Sequence, residues 1–443
     1  MKRNIDIILE KFIKDASNES KVILIEGPRQ VGKTYFVENV IKKYSEFHVT
    51  SINCEKEPHL RLEIDTTEDF DEFTELLKNR KGYEKDNPHT KIVFIDEAQE
   101  SIKLGSYVRF MKEDWKNTRT ILAGSSMKRL FEGHSRVPVG RIEYLTVWPF
   151  TFIEFLRFGG FTNLEDFIMQ YDFAREIPDF IHNDLLKKFD EYLLVGGMPK
   201  AVEAYFNKED FSNVVRFILA SQQDDFYRKE EKIKNHLFID AMKGIANHIG
   251  FTSKYTHITD NHYDAKKIIE LLKKWFIVIE VEQKGLISTQ TQFSPKRYLY
   301  DLGILRIMRE VAIPRLRALE TLSEKLRTPL GGLIENAVLL NMLEGKGGFY
   351  EISGWKKSST DLIEVDFIYK NLDTTIPLEV KASLKVSNRH GKNIASYLTA
   401  CELTKGFLLS FDKPKEFQVK NGTIQNIPLY LFNSHTFQKL LLD

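Results

Sequence analysis

The stretch KVILIEGPRQVGKTYFV, residues 21–37, decides the fold of the first part of the chain. Its apolar run, Val22–Glu26, predicts a buried strand, and Lys33–Ile41 predicts a helix. GPRQVGKT joins the two and fits the phosphate-binding pattern G-x-x-x-x-G-K-[ST] at every defined position. Further short apolar strands alternate with helical stretches downstream, at Lys91–Asp96 and Thr120–Gly124. This rhythm predicts an α/β fold with a parallel sheet and helices on both faces.

The chemistry of phosphate binding gives each part of the loop a role. Gly27 and Gly32 let the backbone curl so that its N–H groups face the phosphates. Lys33 supplies a positive charge to the β- and γ-phosphates, and Thr34 offers its hydroxyl to Mg²⁺. We therefore expect ATP and Mg²⁺ as ligands. The residues predicted to surround the nucleotide are Gly27, Pro28, Arg29, Gln30, Val31, Gly32, Lys33 and Thr34.

A second motif, IVFIDEAQ at Ile92–Gln99, places two carboxylates at the end of an apolar strand. Open α/β sheets bind their ligands at this edge. Asp96 is predicted to hold Mg²⁺ through water, and Glu97 to orient and deprotonate the attacking water. Two acids after a lone strand are often only a loop boundary. Downstream of a complete phosphate loop they favour ATP hydrolysis.

Two further side chains are candidates for the hydrolysis step, and each has an ordinary alternative. The strand in TRTILAGSS is predicted to lie beside that of Asp96, so Ser125 could reach the γ-phosphate or the water. An ordinary strand-end serine would look the same. Arg141 could act as an arginine finger on the nucleotide of a neighbouring subunit, which would require a homo-oligomer. A plain surface arginine is the alternative.

Composition limits the class of protein. The 443 residues are 42% hydrophobic and 29% charged, and the formal net charge of +1 neither requires nor excludes nucleic acid. No apolar run reaches the length of about 18 residues that a membrane span needs. The first fifteen residues, MKRNIDIILEKFIKD, predict an amphipathic helix rather than a signal peptide. Cys54 and Cys401 have neither metal nor redox spacing, so we expect a cytoplasmic protein of several domains.

A helical region, roughly 161–250, precedes a pattern of three helices and two strands over residues 237–300. The third helix is Asp264–Trp275, and the strands are FIVIEVEQ and RYLY. This order is typical of a winged helix. Residues 254–297 hold eight Lys or Arg and five Asp or Glu. The third helix, with four lysines, could enter a DNA groove, and a protein-contact module is the alternative.

Near the C-terminus, two predicted strands carry charged residues in a set pattern. Asp366 lies on IEVDFIYK, and Glu379 and Lys381 share one face of IPLEVKAS. Two carboxylates could bind Mg²⁺, which polarises a scissile phosphate, while Lys381 positions water or steadies the developing charge. The same alternation also occurs in any half-exposed strand.

The combination of motifs resembles the prokaryotic AAA+ ATPases that carry a C-terminal domain of unknown function with a restriction-nuclease-like, PD-(D/E)xK fold. The matching stretches, which run from the phosphate loop to about residue 385, are GPRQVGKT, FIDEAQ, GSSMKRL, GRIEYLTVWPFTFIEFL, YLLVGGMPKAV, KRYLYDLGI, LIENAV, EVDFIYK and IPLEVKAS. The resemblance implies an AAA+ P-loop core at 1–160, a helical lid at 161–235, a winged-helix domain at 236–324 and a nuclease-like α/β domain at 325–443.

The resemblance also implies two site residues. Glu335 takes the place of the helical acidic residue of the nuclease-like site and joins Asp366 and Glu379 as a metal ligand. GGMP, residues 196–199, lies in the lid near the nucleotide, so that Pro199 contacts the base. A helix-terminating turn is the ordinary alternative for GGMP.

These expectations give one leading function and one alternative. The leading prediction is an ATP-binding and ATP-hydrolysing AAA+ protein that acts on or with DNA, contacts no membrane, and carries a metal-dependent nuclease-like domain. The alternative is an ATP-controlled switch or scaffold. Its nuclease-like domain would be catalytically silent and would bind DNA or a protein partner.

Overall fold

The chain packs as two units. The structure is a computed structural model that describes residues 2–15, 20–131, 142–173, 175–230, 233–285, 293–344, 350–358, 363–371, 374–433 and 435–437. The first unit comprises residues 1–148 and 344–347, and the second comprises 149–343 and 348–443. The domain boundaries predicted at 235 and 324 fall inside the second unit and stay predictions. Within the described residues, no helix combines the length and apolar character needed to cross a bilayer.

The first unit is built on a parallel sheet. Its strands are β1 (Lys21–Glu26), β2 (His48–Asn53), β3 (Lys91–Asp96), β4 (Thr118–Ala123) and β5 (Ile142–Thr146). Its helices are α1 (Asp6–Lys14), α2 (Lys33–Ile41), α3 (Pro58–Thr66), α4 (Phe70–Lys81) and α5 (Leu104–Glu113). In the described part of the unit the strands pair in parallel in the order β2-β3-β4-β1-β5. The predicted α/β sheet is confirmed, and β4 lies beside β3 as expected.

Continuous burial explains why these segments form central strands. All six residues of β3 and of β4 are buried, as expected for a parallel sheet that is covered on both faces. The packing includes stacked rings of Phe73 and Trp115, whose centroids lie 6.0 Å apart. Register aligns the carboxyl ends of the strands, because Ala123 pairs with Ile25 of β1. The loops after β1, β3 and β4 therefore meet at one edge of the sheet.

The second unit begins with helices and ends with a mixed sheet. Its helices are α6 (Phe152–Phe158), α7 (Thr162–Gln170), α8 (Asp179–Val195), α9 (Pro199–Phe206), α10 (Phe211–Lys229), α11 (Leu237–Asn247), α12 (His262–Lys274), α13 (Leu302–Met308), α14 (Glu324–Leu343) and α15 (Lys392–Cys401). Its strands are β6 (Val278–Val281), β7 (Gln283–Lys284), β8 (Lys296–Leu299), β9 (Glu351–Lys356), β10 (Glu364–Lys370), β11 (Thr375–Val380), β12 (Lys405–Ser410), β13 (Lys415–Val419) and β14 (Gly422–Pro428). The predicted helical region is confirmed.

Two sheets form in the described part of this unit. Seven strands pair in the order β13-β14-β12-β11-β10-β9-β7, and β6 pairs with β8 as an antiparallel hairpin. The strands β10 and β11 are antiparallel, with Phe367 opposite Leu378. These two strands carry the charged residues of the C-terminal pattern, so the sheet brings them side by side.

Two details of the predicted winged-helix pattern differ from the structure. The expected second helix is only a short 3₁₀ turn, Tyr255–His257. The expected single strand at residues 276–283 is divided, and its end, β7, joins β9 of the larger sheet. The strand is divided because β9 pairs with its end: the N–H of Gly354 donates to the carbonyl oxygen of Glu282 at 2.8 Å.

Candidate functional site

The phosphate loop joins β1 to α2, as predicted. Gly27 has a φ of +141°, and a Cβ at this position would lie 2.2 Å from the carbonyl oxygen of Val147. Gly32 caps α2 with a left-handed backbone, at φ 86°. A left-handed conformation and the lack of space for a side chain both require glycine at position 27.

Lys33 folds back onto its own loop. Its Nζ donates to the carbonyl oxygens of Gly27 at 2.9 Å and Pro28 at 2.8 Å. Burial lowers the pKa of Lys33 to about 8, against the opposing effect of the Glu97 and Asp96 charges. The phosphate oxygens of a nucleotide could replace the two carbonyls and would restore the charge of the ammonium.

Thr34 and Asp96 meet at the same sheet edge. The hydroxyl of Thr34 donates to Oδ2 of Asp96 at 2.7 Å, and Nδ2 of Asn53 donates to the same oxygen at 2.8 Å. Burial raises the pKa of the Asp96 carboxyl, and its Oδ1 is buried with no hydrogen-bond partner among the described residues. A hydroxyl beside a carboxylate oxygen that lacks a partner suits Mg²⁺, which takes oxygen ligands and keeps several waters. These residues fit the predicted ion.

Glu97 directly follows β3 with a left-handed backbone, at φ 49°. Nε2 of Gln99 donates to Oε2 of Glu97 at 2.6 Å and so fixes the direction of the carboxylate. Ser125 lies buried just after β4, the neighbour of β3. Glu97 and Ser125 are therefore at the same edge of the sheet. Their roles in hydrolysis stay predictions.

Three side chains around the loop were missed by the sequence analysis: Arg3, Asn53 and Gln99. Arg3 donates from Nη1 to the carbonyl oxygen of Val31 at 3.3 Å and from Nη2 to that of Trp148 at 2.8 Å. The sequence could have indicated Asn53 as a site residue, because it is a polar residue at the carboxyl end of β2, the strand beside β3. Arg3 has no such signal.

The structure leaves the other two predicted nucleotide contacts, Arg141 and Pro199, untested. Arg141 lies outside the described residues. Pro199 belongs to the second unit, where it begins α9 after Gly196 has ended α8 with φ 82°. The N–H of Gly197 donates to Oδ2 of the buried Asp301 at 2.7 Å. GGMP therefore forms a helix-terminating turn, and the base contact of Pro199 stays a prediction.

The charged residues predicted for the C-terminal site lie together in the second unit. Nζ of Lys381 donates to Oε1 of Glu379 at 2.5 Å, and the N–H of Val380 donates to Oδ2 of Asp366 at 2.9 Å. Glu335, on α14, lines the same cavity as Asp366 and Lys381. The alternative of a half-exposed strand is wrong, because Glu379 is only 1% exposed.

Another side chain, Lys296 at the start of β8, enters this cluster and was missed by the sequence analysis. Its Nζ donates to Oε1 of Glu335 and to Oδ1 of Asp366, both at 2.9 Å. The hydroxyl of Tyr298 also donates to Oε1 of Glu335. This arrangement differs from the predicted metal site, because an ammonium takes the position between two of the predicted ligands. In the part of the chain that the structure describes, no group of three or more His, Cys, Asp or Glu side chains could hold a metal ion.

Burial and neighbouring charges set the pKa values in this cluster. Burial and the charge of Asp366 raise the pKa of Glu335 to about 7 and also raise that of Glu379. Burial opposes the charged form of Lys296, but Asp366 and Glu335 hold its pKa well above the usual value. Burial likewise opposes the charged form of Asp366, whose pKa Lys296 nevertheless keeps low. Lys296 and Asp366 therefore form a buried ion pair at neutral pH.

A cavity of about 470 Å³ opens onto the cluster. Cationic and hydroxyl-bearing side chains line it beside the carboxylates. The polar lining residues are Arg327, Thr328, Ser383, His390, Lys381, Glu335 and Asp366. Ions and small anions therefore have a route to these carboxylates.

The predicted basic helix, α12, buries one face and exposes part of its charge. Ala265 and Ile268 are among its buried residues, whereas Lys266 and Lys274 are exposed. Lys273 lies 3.1 Å from Glu270 and 3.0 Å from Glu280, which offset its charge. DNA contact by this helix stays a prediction.

Families of known sequences match three segments of the chain. Residues 19–156 match an AAA domain. Residues 186–314 and 330–432 match two domains of unknown function, DUF8612 and DUF4143. With the geometry of the phosphate loop, the first match makes residues 19–156 similar to AAA domains and supports a P-loop nucleotide-binding fold.

The proteins that are similar to the chain include one curated relative and several solved structures, three of which are described next. The uncharacterized protein MJ1544 of Methanocaldococcus jannaschii is 24% identical over 438 residues, which cover 96% of this chain and 85% of that protein. Drosophila ORC bound to DNA has 12% identity and a TM-score of 0.27, and covers 62% of this chain and 86% of its own. The Aeropyrum pernix ORC1 protein in complex with DNA has 12% identity and a TM-score of 0.26. The match covers 69% of this chain and 90% of that protein. Cdc6p from Pyrobaculum aerophilum has 12% identity and a TM-score of 0.25. The match covers 69% of this chain and 91% of that protein. Structural likenesses this weak establish no shared partner.

Proposed function

We propose that the chain is an AAA+ ATPase that binds and hydrolyses ATP at residues 27–34 and acts on or with DNA. The observation that carries the proposal is the contact between Thr34 and Asp96, beside an Asp96 oxygen that lacks a partner among the described residues. Two motifs that are 62 residues apart in sequence converge there on one oxygen-rich site. This is the donor set that nucleotide-bound Mg²⁺ requires.

The residues of the loop bind and orient the triphosphate. The backbone N–H groups of residues 27 and 29–34 surround the phosphates, and Lys33 exchanges its two carbonyl partners for phosphate oxygens. Thr34 and Asp96 are the residues that would hold Mg²⁺. When bound, Mg²⁺ neutralises phosphate charge as it develops in the transition state.

Glu97 orients the attacking water and accepts its proton. Gln99 already fixes the carboxylate through Oε2, which leaves Oε1 to face the water. Ser125 contacts the γ-phosphate or the water. Arg141 acts on the nucleotide of a neighbouring subunit, and Pro199 contacts the base. The roles of Ser125, Arg141 and Pro199 rest on the sequence motifs.

The DNA part of the proposal rests on the helix–helix–hairpin arrangement of α11, α12, β6 and β8, read as a winged helix, and on the exposed lysines of α12. A helix with cationic side chains on one face can approach phosphates in a groove. Lys266 and Lys274 provide such charge.

A second candidate function is an ATP-controlled switch or scaffold with a catalytically silent nuclease-like domain. The position of Lys296 favours it. With an ammonium between Glu335 and Asp366, the described residues do not fit Mg²⁺ or Mn²⁺, and we assign no cleavage step to this site. The domain would then bind DNA or a protein without cutting.

The test is ATP turnover by the full chain, with and without single-stranded and double-stranded DNA, beside the variant Glu97→Gln. Turnover that DNA stimulates and that Glu97→Gln abolishes is the expected result. Turnover that is indifferent to DNA would reject the DNA part and favour the switch. Turnover that survives Glu97→Gln would contradict the assignment of the general base.

A further inference from the structure

Lys296 is held at the C-terminal cluster by the fold around it. Its strand, β8, pairs with β6, with Lys296 opposite Val281. Three residues further along, Asn336 clamps the backbone of Leu299, accepting from its N–H at 2.9 Å and donating to its carbonyl oxygen at 2.7 Å. Asn336 is the neighbour of Glu335 on α14, so one helix fixes both the ammonium and one of the carboxylates that it contacts.

Close backbone packing reinforces this position. Gly250 has φ 80°, and a Cβ there would lie 3.0 Å from the Cα of Gly332 on α14. A Cβ on Gly332 would in turn lie 2.5 Å from the carbonyl oxygen of Ile249. The loop after α11 therefore lies directly against α14, beside Glu335. A lysine that is 1% exposed in such packing is part of the built structure rather than a surface side chain.

The ammonium of Lys296 also offsets part of the charge of the cluster. Four carboxylates, those of Glu335, Glu364, Asp366 and Glu379, face two ammonium groups, those of Lys296 and Lys381. Removing the charge of Lys296 would enlarge this excess and leave four carboxylates beside one ammonium, that of Lys381. An excess of buried carboxylates is the situation that a divalent cation relieves.

We propose that Lys296 excludes divalent cations from this carboxylate site. Mg²⁺ needs oxygen ligands at about 2.0–2.1 Å in octahedral geometry. The ammonium contacts Glu335 and Asp366 at once, and a second cation between them would meet its charge at close range. Lack of access is not the cause, because the 470 Å³ cavity reaches both carboxylates. The site therefore gains a metal only when the ammonium of Lys296 is removed.

The experiment counts Mn²⁺ bound to the nucleotide-free full chain, by electron paramagnetic resonance of the free ion. Wild type and Asp366→Asn should bind equal amounts, because the site takes no ion while Lys296 is present. Lys296→Met should gain one Mn²⁺ per chain, and the double variant Lys296→Met/Asp366→Asn should lose that gain. Mn²⁺ should also raise the Tm of Lys296→Met relative to the metal-free variant.

The matched control is Lys284→Met, which removes an exposed lysine that pairs with Glu351 outside the cluster and should gain no ion. The proposal is overturned if Asp366→Asn binds one Mn²⁺ fewer than wild type. It is equally overturned if folded Lys296→Met gains no ion. If Lys296→Met does not fold, the Mn²⁺ content of wild type and Asp366→Asn is still compared. Equal contents support the proposal, and a lower content in Asp366→Asn overturns it. These readouts do not depend on ATP hydrolysis, so they can fail or succeed separately from the ATPase proposal.

Discussion

At the scale of single residues, the phosphate loop depends most sharply on Gly27. Gly27→Ala would place a Cβ 2.2 Å from the Val147 carbonyl in a left-handed backbone, so the loop must shift. We expect the ATP affinity to fall roughly tenfold or more, about 1.4 kcal/mol. Titration calorimetry with ATP measures this loss.

The control for this variant is Gly82→Ala. Gly82 also has a left-handed backbone, at φ 70°, but a Cβ there would meet no atom of the described residues within 4 Å. It should cost about 1–2 kcal/mol of folding stability and leave the ATP affinity unchanged. Equal ATP affinities for the two alanine variants would refute the steric argument.

Lys33 gives a prediction about pH. Its pKa of about 8 in the nucleotide-free protein lies below the value of an unburied lysine, and bound phosphates should raise it. Above about pH 8, free protein carries a neutral Lys33 and the complex a charged one, so ATP binding takes up a proton. Affinity should therefore fall with rising pH, by up to about tenfold per unit.

Calorimetry at pH 8.5 in two buffers of different ionisation enthalpy measures that proton uptake. Lys33→Ala should abolish it, because alanine does not titrate. Proton uptake of the same size in Lys33→Ala would place the titrating group elsewhere.

Single residues also mark where the sequence stops being informative. The loop residues and Asp96 were predictable, because each belongs to a short motif whose chemistry is local. Lys296 was not, because its partners lie 39 and 70 residues away in sequence. Nothing in the sequence around Lys296, which directly precedes RYLY, indicates that its side chain is buried against carboxylates of other elements. Folding alone brings them together.

At the scale of elements, Asp301 connects α13 to the turn between α8 and α9. Its Oδ1 accepts from the N–H of Ile304 at 2.9 Å and its Oδ2 from that of Gly197. Asp301→Ala should lose a helix cap, about 1 kcal/mol, and leave the buried N–H of Gly197 without a partner, about 1–3 kcal/mol. We expect a loss of about 2–4 kcal/mol in urea unfolding.

Asp210→Ala is the matched element-scale control. Asp210 caps α10 by accepting from the N–H of Asn213 at 3.1 Å, but it is exposed, and among the described residues it bonds to no second element. Its removal should cost only about 1 kcal/mol. If both variants lose the same stability, the junction role of Asp301 is wrong.

The sequence predicted the bounds of a strand best where the strand is buried along its length. The strands β1 and β3 carry unbroken apolar runs, and the structure places them within one residue of the predicted bounds. The division of residues 276–283 between β6 and β7 was not visible, because it depends on β9, some 70 residues later. Pairing partners that are distant in sequence decide where such a strand ends.

At the scale of the whole molecule, DNA binding should depend on α12. Lys266→Glu/Lys274→Glu reverses two exposed charges on this helix. We expect the affinity for double-stranded DNA to fall more than about tenfold and the slope of log Kd against log salt to decrease by about 2. Fluorescence anisotropy over a salt series measures both quantities.

Lys187→Glu/Lys200→Glu applies the same charge change to exposed lysines of α8 and α9. This control should leave most of the DNA affinity intact. An equal loss in the two double variants would mean that the net charge of the molecule, not α12, governs the interaction.

The central claim is that Glu97 drives ATP hydrolysis at the phosphate loop. The most direct measurement is the identity of the nucleotide that remains bound after incubation with ATP and Mg²⁺, read by chromatography of the denatured protein. Wild type should carry ADP, and Glu97→Gln should carry ATP with its affinity preserved. Bound ADP in Glu97→Gln at the wild-type rate, or no bound nucleotide in wild type, would contradict the claim.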